Sequence, residues 1–443
     1  MRILEWQSLD AGARRAALAR PTQAASIEVC QQVQEIIARV RRDGDAAVRQ
    51  LTAQFDRVDL DAFAVTSAEL AAARRALTSE QHAALERAID NVHAFHAAQR
   101  VAPLALETMP GVRCERVIRP IAAVGLYAPA GSAPLPSTVV MLAVPARIAG
   151  CPTRVLCTPP DRQGGAHSAI LVAAELCGVR EVFKVGGAQA IAALAYGTAT
   201  IPKVDKIFGP GNVWVTAAKQ AVARNVEGAA CDLPAGPSEV LIIADDSARP
   251  EIVAADLLAQ AEHDPEAQAI LVTASAELAT AVVSAIESQW RGLSRRSILE
   301  KSLTASRCIL VADLPTALAV ANDYAPEHLI LAVREPRRWL AAVQNAGSVF
   351  LGEWSPEALG DYCSGTNHVL PTYGYARAYS GLSVLDFVKR VTVQEISAAG
   401  LRVLGPTAVT LAALEGLDAH ADSVTRRLQL LSCSSAAGVG VAS

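Results

Sequence analysis

Short apolar segments alternate with helical segments from residue 121 to about residue 351, and this alternation constrains the fold more than any other feature of the 443-residue chain. One set of apolar segments runs from residues 122–127 to 206–208, and a second runs from residues 239–244 to 348–351. Strands that alternate with helices at this interval pair in parallel through right-handed crossovers. We therefore predict an α/β fold with two tandem, doubly wound parallel-sheet domains, each an incomplete Rossmann-like unit.

The two ends of the chain follow a different pattern. Residues 27 to about 100 place apolar side chains at helical spacing. After about residue 382 the alternation stops, and a strand-like segment at 391–396 precedes two helices that bend at Gly416. We expect small N-terminal and C-terminal tail elements, formed by residues 1–26 and 382–443.

The composition excludes several classes of function. A net charge of -4 without any block of like charges argues against nucleic-acid binding. The most apolar stretch, residues 139–149, is short and contains Pro145 and Arg147, so we expect no membrane segment. The nine cysteines form no C-x-x-C pair, and residues 1–7 lack the pattern of an export signal. These features predict a cytoplasmic protein with reduced thiols.

Four polar loops that contain glycine lie next to predicted strands, at residues 127–131, 185–189, 208–212 and 233–239. In open parallel sheets, ligands bind beyond the carboxyl ends of the strands. Glycine lets backbone N–H groups approach a phosphate, and the helices that follow favour anions at their N-termini. The loops therefore indicate nucleotide binding or, alternatively, ordinary strand-to-helix turns.

Four of the eight histidines lie in the C-terminal half, each within a compact polar motif. Gln260 and His263 are three residues apart on a predicted helix at 250–263, and Asp361 is predicted in a loop after a strand. With His420, these side chains would give two nitrogen and two oxygen ligands, an open set that leaves room for a substrate or water. The alternatives are that His263 is stabilised by the helix C-terminus and Asp264, and that Asp361 caps a turn.

Glu327 and His328 stand together at the start of a predicted strand. Neighbouring residues on a strand point to opposite faces, but at its end both can reach a cleft. A carboxylate could activate water there, and an imidazole could accept a proton. The alternative is a solvated start of a strand.

Four longer segments carry the most specific pattern in the sequence: 204–212 (VDKIFGPGN), 256–264 (DLLAQAEHD), 325–329 (APEHL) and 360–372 (GDYCSGTNHVLPT). Together they closely resemble the histidinol dehydrogenase family, in the expected order over about residues 30 to 430. The resemblance implies an enzyme that oxidises L-histidinol through L-histidinaldehyde to L-histidine with two NAD. It also implies one zinc ion per subunit and a homodimer with shared active sites.

The resemblance also implies a role for individual residues. Zinc would be held by Gln260, His263, Asp361 and His420, with His420 contributed by the partner subunit. His328 would act as the base and Glu327 would activate water. The substrate would contact the four zinc ligands together with Ser238, His328, His368 and Glu415, and NAD would contact Tyr127, Gln189 and Asn212.

These roles imply that the two predicted domains have different functions. Residues 121–237 would form the NAD-binding domain, and residues 27–120 with 238–381 would form the metal and substrate domain. Residues 1–26 and 382–443 would serve as tail or dimerisation elements. Small departures from the family pattern, Ala130 and Trp214, fall in the expected cofactor loops.

Three alternatives remain at this point. The first is a related dehydrogenase that oxidises a different small polar alcohol. The second is a zinc hydrolase that uses Glu327 with metal-bound water, which would leave the glycine-containing loops without a purpose. The third is a metal-binding protein without activity, which the intact Glu327–His328 pair argues against.

Overall fold

The computed structural model describes residues 1–21, 27–131, 133–234 and 236–437. The chain forms two compact units, one from Met1–Arg100 with Ile121–Phe387 and the other from Val101–Pro120 with the segment that begins at Val388. No helix within the described ranges is both long and apolar enough to cross a membrane.

The first parallel sheet of the larger unit follows the predicted alternation. Its strands lie in the order β6-β5-β4-β7-β8, so the chain begins in the middle, moves to one edge and then crosses to the other side. Helices α6, α7, α8 and α9 connect these strands. The bounds are β4 Ala123–Tyr127, α6 Pro136–Ala149, β5 Thr153–Thr158, α7 Ser168–Leu176, β6 Glu181–Lys184, α8 Gly187–Tyr196, β7 Lys206–Phe208, α9 Val213–Ala223 and β8 Ala230–Cys231.

The second parallel sheet repeats this order and adds one strand from the N-terminus. Strands β9 to β13 lie in the order β11-β10-β9-β12-β13, and β1 pairs with β11 at the edge. The bounds are β1 Arg2–Glu5, α1 Ala11–Ala17, β9 Glu239–Ala244, α10 Pro250–Ala261, β10 Gln268–Thr273, α11 Ala276–Gln289, α12 Arg296–Ala305, β11 Arg307–Leu310, α13 Leu314–Tyr324, β12 His328–Ala332, α14 Pro336–Trp339, β13 Ser348–Leu351 and α15 Glu357–Tyr362.

The central strands of both sheets are buried on their two faces. Every residue of β9 and β10 is buried, as expected for parallel strands covered by helices on both sides. The prediction of two incomplete Rossmann-like sheets is therefore confirmed. The sequence pattern also predicts a helix over residues 337–346, and that prediction is too long, because the structure has only the short α14 followed by a 3₁₀ turn.

Four helices near the N-terminus pack on the first sheet. Apolar side chains of α2 and α3 join the core formed with α8 and α9, and those of α4 and α5 join the core formed with α6 and α7. Thr66 and Thr78 begin α4 and α5 with reciprocal capping boxes. The bounds are α2 Ile27–Asp43, α3 Asp45–Phe55, α4 Ser67–Ala76 and α5 Ser79–Ala97.

The smaller unit combines an antiparallel sheet with two helices. Its strands lie in the order β14-β3-β2, and the helices are separated by Gly416, which has a left-handed φ of 70°. The predicted strand at 391–396 and the bend at Gly416 are confirmed. The bounds are β2 Leu104–Met109, β3 Val112–Pro120, β14 Val388–Ile396, α16 Ala398–Leu414 and α17 Asp418–Ala437.

Candidate active site

A group of ionisable side chains meets at the amino end of the second sheet. Ligand atoms of His263, Glu357 and Asp361 all lie within 4.8 Å of one another. Glu357 is buried, and the Asp361 side chain is only 13% exposed. Two carboxylates and an imidazole at this spacing can bind a divalent cation.

Gln260 and His263 come from the C-terminal end of α10. The helix ends at Ala261, two residues earlier than predicted, and His263 follows in a turn in which its N–H donates to the Gln260 carbonyl oxygen at 3.3 Å. The Gln260 side chain is fully buried. In the amide orientation that satisfies both side chains, its nitrogen lies 2.8 Å and 2.5 Å from the two carboxylate oxygens of Glu357.

Glu357 and Asp361 lie one turn apart on α15. The predicted loop at Asp361 was wrong, because Pro356 and the residues after it start this short helix. Gly360 permits close packing of the helix on β13, since a Cβ atom there would lie 2.6 Å from the Phe350 ring. From the sequence alone, a glycine that allows close packing of a helix cannot be distinguished from a glycine in a loop.

Glu327 and His328 are held by a single residue of the neighbouring strand, Glu239. The Glu239 N–H donates to Glu327 Oε2 at 2.9 Å, and the Glu239 carbonyl oxygen lies 3.1 Å from His328 Nδ1. A carbonyl oxygen can only accept, so Nδ1 carries a proton. Both side chains are buried.

His328 Nε2 faces the carboxylate group. It is buried, has no hydrogen-bond partner among the residues that the structure describes, and lies 3.6 Å from Asp361 Oδ1. Burial alone would lower the pKa of His328, but the carboxylates of Glu357 and Glu327 raise it well above the ordinary value. Burial in turn raises the pKa of Glu357. This concentration of negative charge would be relieved by a bound cation.

His368 lies beside this group, and Ser238 is the chain neighbour of Glu239. His368 Nδ1 donates to the Asp361 carbonyl oxygen at 2.7 Å, and its Nε2 lies 3.3 Å from Thr138 Oγ1 on the first turn of α6. Burial lowers the pKa of His368, so it is neutral near pH 7. Ser238 directly precedes β9, at the amino end of the second sheet.

Glu415 and His420 belong to the smaller unit. Glu415 follows the last residue of α16, and His420 lies in the first turn of α17. Both side chains are exposed. The structure thus brings together Gln260, His263, Glu327, His328, Asp361 and His368 within the larger unit, and Ser238 adjoins them only as the chain neighbour of Glu239. It does not place Glu415 and His420 in that group.

Tyr127, Gln189 and Asn212 lie at the carboxyl ends of strands in the first sheet, as predicted for these loops. The Tyr127 hydroxyl accepts a hydrogen bond from the Gly187 N–H at 3.0 Å, and Gln189 Nε2 donates to Asp56 Oδ2 at 3.4 Å. The Asn212 side chain is exposed and caps α9 by accepting from two backbone N–H groups.

The loop that contains Asn212 is held by a buried ion pair. The Gly209 N–H donates to Asp232 at 2.7 Å, and the Gly209 carbonyl oxygen accepts from Lys219 Nζ at 2.8 Å. Lys219 also pairs with Asp232. Gly209 has a φ of 123° and touches the Tyr127 backbone, so only glycine fits this position.

The sequence model of the family described as histidinol dehydrogenase matches residues 18–428. The chain belongs to the histidinol dehydrogenase family.

Individual members of the histidinol dehydrogenase family align over almost the whole chain. The histidinol dehydrogenase of Xanthomonas euvesicatoria is 56% identical over 97% of this chain and 99% of its own length. That of Vibrio parahaemolyticus is 53% identical with the same coverage. The crystal structure of histidinol dehydrogenase from Elizabethkingia anophelis superposes with a TM-score of 0.93 at 44% identity, covering 98% of this chain and 99% of that one.

Histidinol dehydrogenases are oxidoreductases of histidine biosynthesis, so the class of enzyme predicted from the motifs is confirmed. The roles of individual residues remain predictions. Sequence reasoning also missed Glu357, which reads as an ordinary acidic residue at the start of a helix. Its only signal is its position four residues before Asp361, which places both carboxylates on one helical face.

Proposed function

We propose that this protein oxidises L-histidinol through L-histidinaldehyde to L-histidine, with NAD as the hydride acceptor in both steps. The observation that carries this proposal is the unpartnered, buried Nε2 of His328 beside Asp361 and the cation-binding group. A base that points at a metal-bound amino alcohol needs this arrangement.

Zinc fits the residues that meet there. Gln260, His263 and Asp361 would hold it, with His420 supplied by a second copy of the chain in a homodimer. When bound, zinc would fix the amino alcohol without taking part in redox chemistry, while NAD would accept the hydrides. The buried Glu357 supports this assignment, because burial disfavours its ionised form unless a cation compensates the charge.

His328 would accept the hydroxyl proton of the substrate at Nε2. Its Nδ1–H is directed at the Glu239 carbonyl oxygen, so Nε2 is the nitrogen that would exchange a proton with the substrate. The nearby carboxylates favour the protonated ring, whereas a cation bound among them would offset their charge and lower the pKa of His328. Loading of the metal would therefore prepare His328 to act as a base.

Glu327 would remove a proton from the water that adds to the aldehyde. One of its carboxylate oxygens is occupied by the Glu239 N–H, and this bond orients the side chain. The hydrated aldehyde then loses the second hydride and becomes the carboxylate. His368, which contacts Asp361, would bind the substrate together with Ser238 and Glu415.

Tyr127, Gln189 and Asn212 would bind NAD at the carboxyl ends of the first sheet. His368 contacts the first turn of α6 through Thr138, and α6 follows the Tyr127 loop. The Tyr127 loop and the proposed substrate group thus meet at α6. A cytoplasmic location remains a prediction.

The decisive assay follows NADH formation by the purified protein with L-histidinol and NAD, before and after removal of zinc by a chelator. We expect two NADH per histidinol and loss of activity that zinc restores. Turnover of another alcohol but not of histidinol would support the related dehydrogenase instead. Hydrolysis without NADH would support the hydrolase, and metal binding without any turnover would support the inactive protein.

A shared active site can be tested by mixing two inactive variants, His420→Asn and Asp361→Asn. Random exchange of subunits makes half of the dimers hybrid, and each hybrid contains one intact site. Activity should therefore return to about a quarter of the wild-type value. If mixing restores nothing although subunits exchange, His420 does not act across a dimer.

A further inference from the structure

The N-terminal segment that follows α1 reaches the start of strand β12. Arg20 there is mostly buried, with a side-chain exposure of 13%, and forms a bidentate ion pair with Glu239. The distances are 2.5 Å from Nε to Oε1 and 2.8 Å from Nη2 to Oε2. A planar guanidinium matches a carboxylate in this geometry, and an ammonium group does not.

Arg20 also binds the turn that leads into Glu327 and His328. Its Nη2 donates to the Tyr324 carbonyl oxygen at 2.7 Å and lies 3.3 Å from that of Ala325. The guanidinium carbon lies 3.9 Å from the centre of the Tyr324 ring. Ala325 has a left-handed φ of 52°, a conformation that is costly for alanine and persists only when its surroundings hold it.

Both contacts of Arg20, with Glu239 and with the turn at Ala325, adjoin Glu327 and His328. Glu239, its ion-pair partner, binds Glu327 through the backbone N–H and His328 through the backbone carbonyl. The strained turn at Ala325 sets the direction in which the chain presents those two side chains. Arg20 itself reaches neither of them through a hydrogen bond given by the structure.

We propose that Arg20 is a positioning residue, which fixes the strained turn before Glu327 and the Glu239 peptide so that the two catalytic side chains face the substrate. The inference rests on the proposed function, which assigns the catalytic roles to Glu327 and His328. Arg20 acts from outside the active site, through backbone groups of other residues.

The test compares the variants Arg20→Met, Glu239→Gln and the double variant with both substitutions. Arg20→Met leaves a buried, uncompensated carboxylate and is expected to lower stability whatever else Arg20 does. The double variant removes that charge. If Arg20 positions the turn, the double variant regains the unfolding midpoint in urea, but its kcat stays about 10- to 100-fold below wild type. KM for histidinol should change by less than about threefold, because the zinc-binding residues are untouched.

A matched control is Arg14→Met, since Arg14 belongs to α1 and contacts Trp6 rather than the Glu239 peptide. It should keep the kcat of wild type. In Arg20→Met, the oxidation of histidinol and of histidinaldehyde should slow together, because both catalytic side chains depend on the same peptide. A double variant with wild-type kcat would overturn the inference and would show that Arg20 only neutralises the charge of Glu239. Turnover of histidinol by the wild-type protein would still support the proposed function in that case.

A second readout does not depend on turnover. In protein labelled with 15N-histidine, with the His328 signals assigned by His328→Gln, the Nδ1 signal reports the hydrogen bond to Glu239. We expect this signal to shift between wild type and the double variant. An unchanged signal would refute the positioning role whether or not histidinol is the substrate.

Discussion

Gln260 and Glu357 form a buried hydrogen-bonded pair, with the amide nitrogen of one 2.8 Å from a carboxylate oxygen of the other. The two residues come from α10 and α15, more than 90 positions apart in the chain, and the pair fixes where the proposed zinc ligands of the two helices meet. Substitution of a residue that orients a metal ligand typically lowers metal affinity by about 10- to 100-fold.

Replacing Glu357 by Gln should weaken zinc binding by about 10- to 100-fold, because the substitution removes a carboxyl group beside His263 and Asp361 that a bound cation would hold in its ionised form. Zinc affinity can be measured by competition with a fluorescent chelator, independently of turnover. The matched control is Glu353→Gln, which removes a carboxylate paired with Arg249 just before α15. Equal zinc affinities of Glu357→Gln and wild type would contradict the prediction.

Replacing Glu327 by Gln should slow the oxidation of histidinaldehyde more than that of histidinol, since only the second step requires water to be activated. We expect the variant to oxidise histidinaldehyde at least about 100-fold more slowly than wild type. The two steps are measured separately, with histidinol and with histidinaldehyde as substrates. Equal slowing of both steps would refute the role of Glu327 as the base for water.

Gly209→Ala should destabilise the protein by about 2–4 kcal/mol and raise the KM for NAD. The added Cβ would lie 2.2 Å from the Tyr127 carbonyl oxygen, and the φ of 123° is unsuitable for alanine. Urea unfolding and steady-state kinetics measure the two effects. Gly292→Ala is the control, because its Cβ meets no heavy atom within 4 Å and should leave both quantities unchanged.

Asp56 should make the stability of the protein depend on pH. Burial raises its pKa from 3.8 to about 6 in the folded protein. The folded state therefore binds the proton more tightly than the unfolded state, and the contribution of Asp56 to stability is lost as the pH rises from about 4 to about 6.

Asp56→Asn removes this titration. Relative to wild type, the variant should be more stable at pH 7.5 than at pH 4.5, as measured by urea unfolding at both values. A stability difference between variant and wild type that does not change with pH would show that Asp56 has an ordinary pKa in the folded protein.

The two parallel sheets could be predicted from the sequence because their strands are continuous apolar runs between turn residues. Glu239–Ala244 and Ser348–Leu351 have the predicted bounds. The strand Arg2–Glu5 was not predicted, since it is short and contains only two apolar residues. Its partner strand lies about 300 positions later in the chain, and no local pattern reports such a pairing.

The sequence also could not predict that three charged residues lie near the candidate site. Arg20, Glu239 and Glu357 occupy a loop, the first residue of a strand and the first residue of a helix, where charges are usually solvated. The structure buries them against one another or against the site. Whether a charge is buried depends on which elements pack together, so only tertiary structure distinguishes these residues from surface charges.

The proposed nucleotide contacts and the proposed zinc ligands occupy separate stretches of the sequence. The nucleotide contacts lie at the carboxyl ends of strands in the first sheet, whereas the zinc ligands come from α10 and the turn after it, from α15 and from α17. Laboratory evolution toward another nicotinamide cofactor can therefore restrict its library to the loops after β4, β6 and β7. Every clone in such a library would retain the original metal-binding residues.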